Sequence, residues 1–188
     1  MAEFKSGKRP LSASERQARR KKQRRKNALR WVRALLLALV IGLCLRGFVF
    51  EIVRIQGPSM SATLESGDLV LVTKFDYLFG RPQTGDIALC RFPGRSGQFV
   101  KRVTGTPGDT IAVVQGALER NGQRVEEPYV TLPAQADFAP VTLQENQYFV
   151  MGDNRLKSRD SREPEIGALG EGAFSGRVRF RLWPFEIF

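Results

Sequence analysis

Residues 98–114 read QFVKRVTGTPGDTIAVV, two short runs rich in β-branched and aromatic residues with a turn between them. In the first run Phe99, Lys101 and Val103 lie two residues apart, so a strand would direct all three side chains to one face of a sheet. The Gly-Asp pair at 108–109 is a turn signal, and the second run follows it. The stretch therefore predicts two consecutive β-strands.

The same pattern recurs along most of the chain. Short apolar or alternating runs include DLVLVTKF, DIALCRF, NQYFVM and GRVRFRLW, and further Gly-Asp turn signals occur at 67–68, 85–86 and 152–153. No long amphipathic helix pattern interrupts these runs. We therefore predict a mostly β fold, in which one N-terminal transmembrane helix precedes an all-β domain of Greek-key or partly closed barrel type.

The net charge of +11 is concentrated at the N-terminus. Residues 1–30 hold 12 Lys and Arg against 2 Asp and Glu, whereas residues 31–188 hold 18 against 17. A nucleic-acid reader would carry its basic surface on the folded domain, so a nucleic-acid partner is disfavoured. We predict that residues 1–30 are a cytoplasmic tail, disordered or at most a fraying helix, because the tail buries too little apolar surface to offset its ordering entropy.

An apolar segment, WVRALLLALVIGLCLRGFVF at 31–50, follows the tail. Its uncharged core is 12 residues long, but the flanking Arg33 and Arg46 can snorkel toward the interface. We predict one transmembrane helix over 31–52 in the plasma membrane, with the N-terminus cytoplasmic and the rest of the chain on the outer face. A cleaved signal peptide would need a small-x-small site, which LRGFVFEIV lacks. A buried soluble helix stays open as an alternative.

The sequence contains no histidine, which excludes a Ser-His-Asp triad, an imidazole base and a His-ligated metal. Residues 56–64, QGPSMSATL, nevertheless set Ser59 between glycine, proline and methionine, as in a loop that displays a hydroxyl. A serine nucleophile in this chain must take its base from Lys, Asp, Glu or Tyr. We expect neither a metal nor any other cofactor.

Three lysines follow position 50: Lys74, Lys101 and Lys157. A solvated lysine has a pKa of about 10.4 and is charged at neutral pH, so a lysine base must be desolvated. Lys74 follows a predicted strand and Lys157 lies in the polar run NRLKSRDSR, whereas Lys101 has apolar neighbours on its own face. Lys101 is the best candidate for a neutral amine, and an edge-strand lysine without a catalytic role is the alternative.

Four motifs occur in an order and spacing that resemble those of type I signal peptidases: GPSM at 57–60, GDLVLVTK at 67–74, VKRVTGTPGD at 100–109 and MGDNRLKSRDSR at 151–162. The resemblance covers about residues 31–188. It implies a membrane-anchored serine protease that removes signal peptides from exported preproteins, so its partners would be those peptides and the lipid bilayer. It also implies a Ser-Lys dyad, with Ser59 as nucleophile, the Ser59 backbone N–H as oxyanion donor and Lys101 as general base.

The resemblance further implies supporting roles in the last motif. Ser158 matches the serine that orients the lysine amine, and Asp160 with Arg162 matches an ion pair that shapes the site. A second implied pair joins Arg102 to Asp153. Ordinary surface salt bridges are the alternative for both pairs.

Substrate recognition in this family uses shallow apolar pockets for small residues before the scissile bond. Six positions match the pocket lining, although ordinary core packing is an equal alternative for each: Ile55, Met60, Leu64, Phe99, Val100 and Val150. Two other positions depart from the family pattern. Gly57 stands where some members carry a Ser or Thr oxyanion donor, which leaves the second donor unidentified, and Ala62 replaces a usual proline, for which we expect only a change in local rigidity.

The resemblance also implies the domain boundaries. Residues 53–109 and 149–188 are expected to form a β catalytic core, and residues 110–148 a small inserted β lobe to which we assign little function. Self-cleaving repressors share a Ser-Lys fold, but their Ala-Gly or Cys-Gly scissile bond does not occur in this sequence. A membrane-anchored β-domain that binds without cleaving stays open, and Ser59→Ala would leave the activity of such a module unchanged.

Overall fold

The computed structural model describes residues 13–183 and 185–188, and the chain divides after Leu45 into two units. The first unit contains most of helix α1, Ala13–Phe48. For residues 1–30 we predicted disorder or at most a fraying helix, and the described part of that tail is helical. Ala, Arg, Lys and Gln are abundant there, and all four favour helices. Residues 1–12 of the predicted tail lie outside the described residues.

The predicted transmembrane segment, 31–52, is divided between α1 and strand β1, Phe50–Arg54. Large apolar side chains of α1, among them Trp31 and Leu35, are exposed. In the described part of the chain, no helix combines the length and the apolar character that crossing a membrane requires.

The second unit is built mainly of strands. Those after β1 are β2 (Leu69–Thr73), β3 (Ile87–Cys90), β4 (Phe99–Gly105), β5 (Thr110–Val114), β6 (Ala117–Arg120), β7 (Gln123–Arg124), β8 (Phe138–Thr142), β9 (Gln147–Met151), β10 (Leu169–Gly170), β11 (Phe174–Trp183) and β12 (Phe185–Ile187). Two short helical elements accompany them: α2 (Phe75–Phe79) and a 3-10 turn (Glu171–Ala173).

The strands form two antiparallel sheets. The larger sheet has the order β1-β2-β11-β3-β4-β9-β10, with β12 also paired to β11, and the smaller has the order β7-β6-β5-β8. The prediction of a mostly β fold is therefore confirmed. The smaller sheet spans Thr110 to Thr142, within the segment where we predicted an inserted lobe.

The stretch 98–114 connects the two sheets, because β4 lies in the larger sheet and β5 in the smaller. In the turn between them, Asp109 accepts hydrogen bonds from the Thr106 N–H and hydroxyl at 2.9 and 3.0 Å. Gly105 ends β4 at the crossing, where a Cβ would lie 2.7 Å from Ile111. A larger residue at the point where the chain passes from one core to the other would therefore force Ile111 and Leu143 to repack.

Strand β9 is buried on both faces and joins the two cores. Tyr148 and Val150 pack in a cluster of the larger sheet, whereas Phe149 and Met151 pack with the side chains of the smaller sheet. Successive side chains of a strand point to opposite faces, so one strand can contribute to two cores. The smaller sheet is thus fixed directly behind the end of β9, where the loop 152–162 begins.

Candidate active site

Ser59 lies in the loop between β1 and β2 and is partly exposed. Two backbone hydrogen bonds of 2.9 Å close the base of this loop, from the Ile55 N–H to the Asp68 carbonyl and from the Gly67 N–H to the Ile55 carbonyl. Among the described residues, neither the N–H nor the hydroxyl of Ser59 has a hydrogen-bond partner. Both groups are therefore available to a substrate.

Lys101 lies in β4, and only 3% of it is exposed. Phe99 and Val103 flank it on the same face of the strand, and Ala88 lies opposite it on β3. Its amine forms no ion pair or hydrogen bond with any part of the chain that the structure describes. Burial lowers the pKa of Lys101 to about 8, although the Asp160 carboxylate opposes that shift. Near neutral pH the amine therefore has an appreciable neutral fraction.

Gly152 lies opposite Lys101 and close to both Ser59 and Ser158. Strands β4 and β9 are antiparallel, and their register, continued by one residue, places Lys101 opposite Gly152 with both Cα–Cβ directions on one face. A Cβ on Gly152 would lie 2.3 Å from both the Ser59 carbonyl oxygen and the Ser158 hydroxyl oxygen. The Asn154 N–H also donates to the Ser59 carbonyl at 3.1 Å. Both serines therefore approach the sheet face that carries the buried amine.

Asp160 and Arg162 form an ion pair in the loop 152–162. Arg162 donates to Asp160 from Nε at 2.8 Å and from Nη2 at 2.9 Å, and the Gly152 N–H donates to Asp160 at 3.0 Å. Burial alone would raise the pKa of Asp160, but the bonds and charge of Arg162 hold that pKa below its ordinary value. Ser158 adds to this lowering, yet its buried hydroxyl has no well-formed hydrogen bond in the described chain.

Arg102 follows Lys101 on β4 and faces the other side of the sheet. Its Nε and Nη2 donate to the two carboxylate oxygens of Asp153 at 2.9 and 2.7 Å, and its Nη1 donates to the Gly85 carbonyl at 3.1 Å. Thr63, from the loop that carries the nucleophile candidate, donates to the same carboxylate at 2.5 Å. Asp153 therefore ties the β1–β2 loop to β4.

The segment 125–130 of the smaller-sheet lobe also contacts this site, although we assigned little function there. Arg155 donates from Nη1 and Nη2 to Glu127, each at 2.7 Å, and the Tyr129 ring centroid lies 3.8 Å from the Arg102 guanidinium carbon. These contacts connect the lobe to the candidate site, which we did not anticipate from the sequence. Arg155 could have been suspected from its place in MGDNRLKSRDSR, but no sequence pattern marks Glu127 or Tyr129.

Both departures from the family pattern have a left-handed backbone. Gly57 and Ala62 each have φ of 84°. A proline, whose φ is fixed at about −65°, is incompatible with this conformation at position 62, so more than local rigidity changes there. The Gly57 N–H donates to the Ser66 hydroxyl at 3.4 Å and is therefore not a free second oxyanion donor.

The six predicted pocket residues all pack in the cores of the larger sheet. They divide between two core clusters, with Ile55, Met60, Leu64 and Val100 in one and Phe99 and Val150 in the other. Phe99 and Val100 are partly exposed, whereas the other four are buried. Four of the six side chains are therefore core residues in this structure, Phe99 and Val100 keep exposed surface, and a role in substrate binding stays a prediction for all six.

Comparison with known proteins identifies the family. The family model described as "Signal peptidase, peptidase S26" matches residues 28–183. The signal peptidase I of Bacillus licheniformis is 36% identical over 177 residues, which cover 88% of this chain and 95% of that protein. A probable signal peptidase I-1 of Synechocystis is 40% identical over 160 residues, 80% of each chain. The crystal structure of a signal peptidase I from Enterococcus faecalis is also similar, at 29% identity and a TM-score of 0.46 over 52% of this chain and 96% of that one.

By the family model and the two sequence relatives, the chain belongs to the signal peptidase family, peptidase S26. It is therefore an enzyme of the peptidase class. The family predicted from the four ordered motifs is confirmed.

Proposed function

We propose that this chain removes N-terminal signal peptides from exported preproteins through an acyl-enzyme formed on Ser59, with Lys101 as general base. One observation carries the proposal. The Lys101 amine is buried without a counterion in the described chain, and its pKa is lowered to about 8 by that burial. It lies on the sheet face that Ser59 and Ser158 approach around Gly152.

In the acylation step, the neutral Lys101 amine accepts the Ser59 proton as Ser59 Oγ bonds to the scissile carbonyl carbon. The carbonyl electron pair moves onto oxygen, and the Ser59 N–H donates to that oxyanion. Collapse of the tetrahedral species breaks the carbon–nitrogen bond, and Lys101 gives its proton to the departing amine of the mature protein. The buried Ser158 hydroxyl, which has no hydrogen-bond partner among the described residues, is left to bond the lysine amine and orient it toward Ser59 during the reaction.

In the deacylation step, Lys101 takes a proton from a water molecule as the water oxygen adds to the ester carbon. The second tetrahedral species then releases the signal peptide carboxylate, and Lys101 returns its proton to Ser59 Oγ. Asp160 does not act as a base here, because its pairing with Arg162 holds its pKa below the ordinary value. It supplies a fixed negative charge beside the amine.

Free strand edges support the recognition of an extended peptide. Strand β4 pairs with β9 only from Arg102 onward, so the backbone of Phe99 and Val100 is unpaired on that side. Strand β1 lies at one end of the larger sheet, next to the Ser59 loop. A substrate that adds its backbone to these edges would place small side chains against Phe99 and Val100.

We also infer that the chain works at the plasma membrane, anchored by the apolar part of α1 from Trp31 onward, with its N-terminus cytoplasmic and its β domain on the outer face. The basic residues before this segment support that orientation. Exposed apolar side chains support contact with lipid: Trp31, Leu35 and Leu37 in the first unit, and Phe75, Phe79, Trp183 and Phe185 in the second. Anchoring would replace a diffusional search by a high effective substrate concentration.

The test is cleavage of a preprotein by the full chain with lipid vesicles, comparing Ser59→Ala with Ser61→Ala. Ser61 is a neighbouring serine whose hydroxyl donates to Glu65. We expect Ser59→Ala to lower kcat by about 10³-fold or more, and Ser61→Ala to cleave normally. Unchanged cleavage by Ser59→Ala would overturn the proposal and favour the binding module.

A further inference from the structure

We propose that the smaller-sheet lobe acts on catalysis through two positioning residues, Glu127 and Tyr129, which hold the loop 152–162 and strand β4 in the geometry that the dyad needs. This inference rests on the function proposed above. It gives a role in the reaction to a part of the chain that contributes no reacting group.

The first contact is a buried ion pair between the lobe and the loop. The side chains of Arg155 and Glu127 are only 1% and 7% exposed, and the guanidinium meets the carboxylate through two parallel hydrogen bonds of 2.7 Å. The Arg155 Nε also donates to the Gly152 carbonyl at 3.1 Å. Because a Cβ at Gly152 would collide with both Ser59 and Ser158, a shift of this residue would displace both serines.

The second contact joins the lobe to the strand that carries the base. The Tyr129 ring lies over the Arg102 guanidinium, a favourable cation–π arrangement, and the Tyr129 hydroxyl donates to Glu127 at 2.8 Å. Burial and the neighbouring Glu127 carboxylate raise the pKa of Tyr129, so its hydroxyl keeps the donated proton. Glu127 therefore binds the loop through Arg155 and Tyr129 contacts β4 through Arg102, while a hydrogen bond joins Glu127 to Tyr129.

The loop transmits this contact to the acidic group beside Lys101. Arg162 donates from Nη2 to the Arg155 carbonyl at 3.0 Å, and the same nitrogen donates to Asp160 at 2.9 Å. Asp160 in turn accepts from the Gly152 N–H. Glu127 is thus connected to Asp160 through two arginines, and both arginines also bond the loop backbone.

The lobe, rather than the loop, fixes the position of the segment 125–130. The Val125 N–H donates to the Leu118 carbonyl at 2.9 Å, and the Val130 N–H closes a turn onto the Glu127 carbonyl at 3.0 Å. A buried ion pair contributes little net stability compared with an apolar pair of similar size, but its bidentate geometry fixes orientation. Orientation is therefore the property that Glu127 and Arg155 add.

The first measurement is preprotein cleavage by Glu127→Gln, with Glu126→Gln as the matched control because Glu126 is an exposed neighbour. The glutamine keeps the size of the side chain but removes the charge that holds Arg155. We expect kcat to fall about tenfold to a hundredfold with KM changed less than about twofold, since displaced catalytic groups slow chemistry more than binding. Glu126→Gln should match the wild type.

A double variant separates positioning from folding stability. Glu127→Gln leaves the Arg155 charge buried and unpaired, so adding Arg155→Met should return the urea midpoint toward that of the wild type. We expect kcat to stay low in the double variant, because the tie between lobe and loop is still missing. Recovery of kcat together with the midpoint would overturn the proposal and assign the pair a purely structural role.

Amide hydrogen exchange measures the stability of the loop 152–162 independently of preprotein cleavage. The Gly152 and Asn154 amides bond to Asp160 and Ser59, and we expect both to exchange at least about tenfold faster in Glu127→Gln but not in Glu126→Gln. Faster exchange in a chain that cleaves no preprotein would reject the proposed function and keep the positioning role. Ser59-dependent cleavage with unchanged kcat and unchanged exchange in Glu127→Gln would reject the positioning role alone.

Discussion

Lys101 and Arg102 are adjacent cations on β4, and both are buried, but their surroundings are opposite. Lys101 lies among apolar side chains and has no ion pair within the described chain. Arg102 meets both oxygens of Asp153 and lies against the Tyr129 ring. Because alternate side chains of a strand face opposite ways, one residue of separation is enough to place the two cations in different environments.

The two cations show that burial alone does not decide the charge of a basic group. Burial lowers the pKa of Lys101 to about 8, since no bound carboxylate compensates the lost hydration. For Arg102 burial acts in the same direction, but the hydrogen bonds and charge of Asp153 outweigh it and raise the pKa. Of the two, only the lysine can lose its proton near neutral pH, because it lacks a counterion and its ordinary pKa is lower than that of an arginine.

The largest effect is expected from Lys101→Arg, which replaces the lysine that can lose its proton by a cation that cannot. An arginine keeps its proton at all accessible pH values, so Lys101→Arg should lower kcat by about 10³-fold in the preprotein assay. Lys74→Arg is the control, because Lys74 is partly exposed and already paired with Glu51 at 3.0 Å. Cleavage by Lys101→Arg within about tenfold of the wild type would show that no neutral amine is needed.

The next test removes the counterion on the Arg102 side. Asp153→Asn leaves a buried guanidinium without its carboxylate, and we expect the free energy of unfolding in urea to fall by about 3 kcal/mol. Glu165→Gln breaks the exposed pair with Arg95 and should cost about 1 kcal/mol or less. If Asp153→Asn and Glu165→Gln lowered the free energy of unfolding equally, the Arg102–Asp153 pair would contribute no more to stability than an exposed ion pair.

The smallest expected effect is the pH dependence of kcat/KM, which tests the lowered pKa of Lys101. Only the neutral form of Lys101 accepts a proton, so kcat/KM should rise about tenfold per pH unit below pH 8 and level off above it. The measurement is the pH profile of preprotein cleavage at substrate concentrations below KM. A rise that continues to about pH 10 would indicate a solvated amine with an ordinary pKa.

The strands were predictable because they depend on local pattern, whereas the dyad roles of Ser59 and Lys101 rest on the family motifs and stay predictions. Alternation at Phe99, Lys101 and Val103 requires only that β4 be a strand, and the same pattern explains why the lysine is buried. The segment 110–148 was recognisable as a separate lobe from its relation to the family motifs. Residues 13–30 are helical, in line with the fraying-helix part of the prediction, because Ala, Arg, Lys and Gln have high helix propensity even where apolar periodicity is absent.

The pocket and the lobe contacts were not predictable in the same way. Met60 and Val150 match pocket positions, yet both are buried, since burial depends on which sheet face each side chain meets. Glu127 and Arg155 are 28 residues apart in the chain, and nothing between them fixes their approach. Their contact depends on how the smaller sheet packs against β9.

The sequence by itself determined the strand pattern, the absence of an imidazole base and the identity of a lysine with apolar neighbours, because each is written in residue type and local spacing. Only the tertiary structure decided that Lys101 would be buried without a counterion in the described chain, and that Glu127 would reach the loop beside Gly152. Those contacts join segments far apart in the chain, and they form only when the two cores close on opposite faces of one strand, β9.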